Sequence, residues 1–201
     1  YIYNAERYCA DKLFELSKTA INIPVEKTEK YIAKAEHEEN IIFADKQREA
    51  IIRAVTDGLL ILTGGPGTGK TTVIKAILSL FDVLDIETAL AAPTGRAAKR
   101  MSEVTGRPAK TIHRLLEVEW DKHDRPQFSR NARNPLDAQA VILDELSMVD
   151  ITLFSSFLDA LPIGCRLIMV GDSDQLPPVG AGNVLHDICL LYTYDAADDK
   201  A

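Results

Sequence analysis

The sequence predicts an α/β fold in which a parallel sheet carries helices on both faces. Three observations predict it. Short apolar runs recur at residues 59–63, 86–92, 141–143 and 166–170. Segments with helical spacing of apolar residues separate them, near 70–81, 96–104 and 150–160. The run at 59–63 opens into glycines and the run at 141–143 into two acids, at the strand ends where open α/β sheets keep ligands.

Upstream of this rhythm, residues 4–20 place Ala5, Cys9, Leu13, Leu16 and Ala20 at helical spacing, and Pro24 ends the pattern. A second, highly charged helix is expected over 26–38. Residues 1–40 read as the end of an N-terminal helical module, or as a surface appendage of the main domain. From Phe43 the chain changes character. A helix over 45–57 carries Ala50, Ile51, Ala54 and Val55 on one face and leaves at Gly58. The main domain is expected over 41–191. After Leu191 the apolar pattern lapses, so 192–201 reads as a tail suspected of being non-native. Tyr1 stands where a complete protein would have methionine, so the chain is expected to belong to a longer one.

The 201 residues suffice for one domain with a buried core plus a small appendage. A composition 46% hydrophobic and 26% charged excludes a disordered chain. The net charge of −7 argues against a surface that clamps nucleic acid all over, but leaves room for a local basic groove. Cys9, Cys165 and Cys189 lie far apart without metal-ligand spacing, which fits a reduced, cytoplasmic setting. No run of about 18 apolar residues predicts a membrane span.

Residues Gly64, Gly65, Pro66, Gly67, Thr68, Gly69, Lys70 and Thr71, followed by Thr72, fit G-x-x-x-x-G-K-[ST] between an expected strand and an expected helix. Each residue type has a physical reason to be there. The glycines let backbone N–H groups turn toward phosphate oxygens, and the next helix aims its positive dipole end at the same anion. Lys70 is expected to reach the β- and γ-phosphates and the Thr71 hydroxyl to ligate Mg²⁺. ATP and Mg²⁺ are the ligands this pattern implies.

The second apolar strand runs into Asp144 and Glu145. Asp144 is expected to hold Mg²⁺, and Glu145 to orient and deprotonate the attacking water as general base. A third strand leads through Gly171 and Asp172 to Gln175, well placed to hydrogen-bond the γ-phosphate and report its loss.

As a set, GGPGTGKTT (64–72), APTGRAAKRM (92–101), TIHRLL (111–116), ILDELSMVD (142–150) and VGDSDQLPPVGAGNVL (170–185) resembles the ordered motifs of superfamily 1 helicases. More narrowly it resembles the RecD-type branch, which includes the alpha subunit of exodeoxyribonuclease V. The resemblance covers roughly residues 43–188. It implies a RecA-like P-loop NTPase sheet and an ATP-driven helicase moving 5′ to 3′ on single-stranded DNA, in recombination and repair. It further implies adenine recognition by Gln47, and single-strand contacts at Thr94, Gly95 and Arg96 and again at Thr111 and His113. Single-stranded and duplex DNA are the implied partners, with subunits of a helicase–nuclease complex as further candidates. Such helicases complete the ATP site with arginines of a second motor domain. The 201 residues alone are therefore expected to bind ATP weakly and hardly hydrolyse it.

Between Pro93 and Arg114 six cations, Arg96, Lys99, Arg100, Arg107, Lys110 and Arg114, face the single acid Glu103. This is a plausible track for a phosphate backbone, or else a solvated helix face. Residues 117–135 break the strand–helix rhythm. Segments 117–120 and 127–130 flank a polar turn, which predicts an inserted β-hairpin with Trp120 and Phe128 within pairing reach. In the resembling family a hairpin here splits the duplex. Two other readings stay open: another P-loop ATPase acting on DNA, and a fragment that holds nucleotide or a partner without turnover.

Overall fold

The structure is a computed structural model that describes residues 2–18, 23–65, 67–123, 125–172 and 180–189. Five parallel strands form its central sheet: β1 (Leu59–Thr63), β2 (Thr88–Ala92), β3 (Ala109–Thr111), β6 (Ala140–Leu143) and β7 (Arg166–Gly171). Their spatial order is β1-β7-β6-β2-β3. The last strand among the described residues thus lies between the first and β6, pairing Leu59 with Leu167 on one side and Val141 with Leu167 on the other.

The central strands β6 and β7 are almost wholly apolar because both of their faces are covered. Successive residues point to opposite faces, and the core divides accordingly. Val141, Leu143, Leu167 and Met169 join one buried cluster. Ala140, Ile142, Ile168 and Val170 join the other. On the first face lies α7 (Ile151–Asp159), with Phe154 and Phe157 fully buried. Helix α1 (Ile2–Lys18) packs on it through Cys9, Leu13 and Leu16, and the Tyr8 hydroxyl donates to Asp159 Oδ1 at 2.6 Å. On the second face lie α3 (Asp45–Thr56) and α4 (Lys70–Val83), joined by Ile32 of α2 (Val25–Glu39).

Two short elements lack a sequence signal. β3 is a three-residue strand on the outer side of β2, and α6 (Ile112–Leu115) is a single turn directly after it. The inserted hairpin is present as β4 (Val118–Trp120) and β5 (Pro126–Phe128). Trp120 lies opposite Pro126, and Phe128 lies opposite Val118. Trp120 and Phe128 thus share a face as diagonal neighbours, within reach of each other. Arg130 ties the base of the hairpin, donating to Glu117 Oε1 at 3.0 Å, Asp137 Oδ2 at 3.1 Å and the Pro135 carbonyl at 2.9 Å. Among the described residues no helix is long and apolar enough to cross a membrane.

Candidate active site

The parallel sheet gathers its functional side chains at the carboxyl ends of the strands. β1 delivers the glycine loop there. Gly67 and Gly69 hold φ of 77° and 82°, a region that side chains with a Cβ rarely adopt. The loop closes on itself: Thr68 Oγ1 donates to the Gly65 carbonyl at 2.9 Å, and the Lys70 ammonium donates to the carbonyls of Gly64 and Gly65. α4 begins at Lys70 with no side chain capping its first turn, so its leading N–H groups face the loop.

β6 delivers the acids. Asp144 N–H donates to the Ala91 carbonyl at 2.9 Å, which continues the β2–β6 ladder past the strand end. The Asp144 carboxylate accepts the Glu145 N–H at 2.9 Å. Burial pushes the Asp144 carboxyl above the ordinary aspartate range. The Glu145 hydrogen bond opposes this, the Glu145 charge adds to it, and Arg100 and Lys70 oppose it again. Glu145 itself sits at φ 56° before a turn of 3₁₀-helix at Leu146–Met148. A non-glycine residue in this left-handed region stores local strain of about 1–3 kcal/mol. The turn lifts the Glu145 side chain off the strand direction into the cleft.

A single cleft of about 400 Å³ joins these ends. Gly65, Gly67, Thr68, Gly69, Lys70 and Thr71 line it together with Asp144 and Glu145, and β7 contributes Val170, Gly171 and buried Asp172. Thr72 is on α4 outside this lining, and Gly64 takes part through its carbonyl. Pro66 and Gln175 lie outside the described residues.

Gln47 stands at the rim. Its Oε1 accepts the Ala44 N–H at 3.0 Å, and its Nε2 occupies the space a Cβ on Gly69 would need. Glu36 of α2 fixes the approach to this position by accepting from Arg48 at 2.8 Å and from the Phe43 N–H at 3.0 Å.

None of the five residues assigned to DNA lines the cleft. Thr94 caps α5 (Gly95–Thr105) by accepting the Ala97 N–H, and Thr111 caps α6 by accepting the Arg114 N–H, each at 3.2 Å. Because Ala92 pairs with Thr111, the two caps lie side by side at the same edge of the sheet, with Gly95 and Arg96 exposed on the first. The His113 ring rests against Phe128 of the hairpin, centroids 5.9 Å apart.

The cations of the basic run differ in their surroundings. Arg107 pairs with Asp82, and Lys99 with Glu103 at 3.9 Å. Arg100 lines the nucleotide cleft with Met101, Val104 and Thr105. Helical spacing groups Arg100 with Arg96, and only the packing of α5 beside α4 separates their surroundings.

A sheet in which β7 separates the glycine-loop strand from the acid-ended strand, with one cleft across all three tips, defines the P-loop NTPase class. A family model described as "AAA domain" matches residues 47–181, and the chain belongs to that family. It is 46% identical over 140 residues to the ATP-dependent RecD2 DNA helicase of Deinococcus radiodurans, spanning 69% of this chain and 19% of that protein. It is 39% identical over 167 residues to the RecBCD enzyme subunit RecD of Mycolicibacterium smegmatis, spanning 72% of this chain and 30% of the other. A solved structure of two coordinating Pif1 helicases at forked duplex DNA matches with a TM-score of 0.52 and 26% identity, over 74% of this chain and 37% of that one. The chain thus spans less than a third of the length of these two curated relatives.

Proposed function

We propose that this chain is the ATP-binding motor domain of a RecD-type DNA helicase, which couples ATP hydrolysis to 5′-to-3′ travel on single-stranded DNA and to duplex unwinding in recombination and repair. The observation that carries this is the convergence of Lys70, Thr71, Asp144 and Glu145 on one cleft, with the Thr94 and Thr111 caps at the same sheet edge.

In this reading the loop N–H groups and the α4 dipole bind the phosphates. Lys70 leaves the Gly64 and Gly65 carbonyls for the β- and γ-phosphates. Gln47 receives the adenine beside Gly69. Glu145, turned into the cleft by its backbone, takes the proton of the attacking water. Gln175 reads the terminal phosphate and relays its loss to the DNA-holding residues Thr94, Gly95, Arg96, Thr111 and His113.

The donor set fits Mg²⁺, which typically uses one or two carboxylates plus substrate phosphates rather than an all-protein cage. The Thr71 hydroxyl and a half-buried Asp144 carboxyl share the cleft, one neutral oxygen and one carboxylate. Thr71 and Asp144 would hold the ion, which supplies positive charge to the β- and γ-phosphates when bound. Residues 1–40 are taken as the end of a preceding helical module. The setting is cytoplasmic, and subunits of a helicase–nuclease complex are candidate partners, as the name of the mycobacterial relative suggests.

The test is ATP turnover and forked-duplex unwinding by the full-length protein, with and without single-stranded DNA. DNA-stimulated turnover with strand separation is expected. Turnover without strand separation would favour another P-loop ATPase acting on DNA, and no turnover would favour a binding module.

A further inference from the structure

We propose that Arg100 is a further triphosphate-contacting residue, supplied to the cleft by the same helix whose N-terminus carries the proposed DNA contacts. This rests on the ATP-site reading above and adds to it a residue that the nucleotide motifs do not contain.

Helix α5 treats its cations differently. Lys99 pairs with Glu103 on the exposed side and Arg96 is exposed near the first turn, both outside the cleft lining, while Arg107, just past the helix, pairs with Asp82. Arg100 has no hydrogen bond or salt bridge among the described residues, yet it lines the cleft beside Met101, Val104 and Thr105. Its charge is felt at the Asp144 carboxyl along with that of Lys70. The charge balance of the cleft gives it work. Lys70 and Arg100 are the two cations among its described lining residues, against the three acids Asp144, Glu145 and Asp172. A triphosphate adds several negative charges, which a second side-chain cation beside Lys70 would help to offset. A guanidinium offers a planar fork of donors that matches phosphate oxygens.

The helix also gives this contact a destination. Arg96 and Arg100 are one turn apart, a rise of about 6 Å. α5 runs unbroken from Gly95 to Thr105, which links the two positions through one helix. A terminal phosphate that draws Arg100 therefore draws on the Thr94 end, and its loss releases both.

The experiment compares full-length wild type with Arg100→Ala and Arg100→Lys. It measures binding of a non-hydrolysable ATP analogue, of ADP (each with magnesium), and of single-stranded DNA without nucleotide. Arg100→Ala is expected to weaken the analogue roughly 10- to 100-fold, the range of one charge-assisted hydrogen bond. ADP affinity and nucleotide-free DNA affinity are expected to stay within about twofold, and Arg100→Lys to recover part of the loss. Equal losses for analogue and ADP, no change in either, or a fall in nucleotide-free DNA binding would each overturn the proposal. Wild type that binds neither nucleotide would instead remove the ATP-site reading beneath it.

Discussion

The carboxamide nitrogen of Gln47 stands where a Cβ on Gly69 would have to go, so the proposed adenine-reading residue and the phosphate loop are in direct contact. Gly69 also holds φ 82°. Gly69→Ala should therefore destabilise the domain by about 1–2 kcal/mol and displace Gln47 from the Ala44 N–H, weakening nucleotide binding. Gly65→Ala, with nothing within 4 Å of the added carbon, should leave stability within about 0.5 kcal/mol. Chemical denaturation of both variants checks this. Gln47→Ala added to Gly69→Ala should cost less than the sum of the two.

Glu145→Gln keeps the size and the left-handed backbone but removes the base. Turnover by the full-length protein should fall about 10²- to 10⁴-fold while nucleotide binding is retained. Turnover close to wild type would reassign the base.

Asp144 makes a pH prediction. Its folded pKa is raised, chiefly by burial. The folded state therefore holds the proton more tightly than the unfolded state does. Above the raised folded pKa the ionised carboxylate costs stability, and that cost disappears as pH falls toward the unfolded value. Asp144→Asn, which keeps an oxygen to accept the Glu145 N–H, should raise the melting temperature of the nucleotide-free protein at pH 7. The gain should shrink as the pH is lowered through the aspartate range. A gain independent of pH would mean that charge burial is not its source.

The hairpin is joined to the assigned DNA edge through the His113–Phe128 contact and anchored by Arg130. Deleting residues 119–129 from the full-length protein should abolish duplex unwinding and spare most DNA-stimulated ATP turnover. Unwinding at the wild-type rate would remove the duplex-splitting role.

Helix α1 is fastened by packing and by one short hydrogen bond. Tyr8→Phe removes the donor to Asp159 and should cost about 1–3 kcal/mol, as for a bond to a charged acceptor. Leu13→Ala, inside the shared cluster, should cost about 2–5 kcal/mol. Equilibrium denaturation separates the two.

The sheet was legible in the sequence wherever a strand is buried on both faces. β1 matches its apolar run at 59–63, and β6 and β7 extend the expected runs by one residue each. β3 escaped because Ala109–Thr111 is three residues long with an exposed lysine at its centre, too little apolar length to stand out. The loop and the acid pair were legible because their chemistry demands particular residue types in a fixed local order. The place of Arg100 in the cleft lining was not legible, for the opposite reason. Charge along a helix says which residues share a face, and only tertiary packing says what that face meets. The hairpin was legible as an insertion, but its register depended on a turn whose geometry polar composition does not specify.

The strand inserted between β1 and β6 sets a gauge. Neighbouring strands lie about 4.8 Å apart, so the tip that leads to the lysine and the tip bearing the acids are held about 10 Å from each other by the two hydrogen-bonded ladders of β7. That span is fixed before any ligand arrives. A nucleotide therefore meets a rigid caliper whose opening is written into the order of the strands, and only the side chains need adjust to its load.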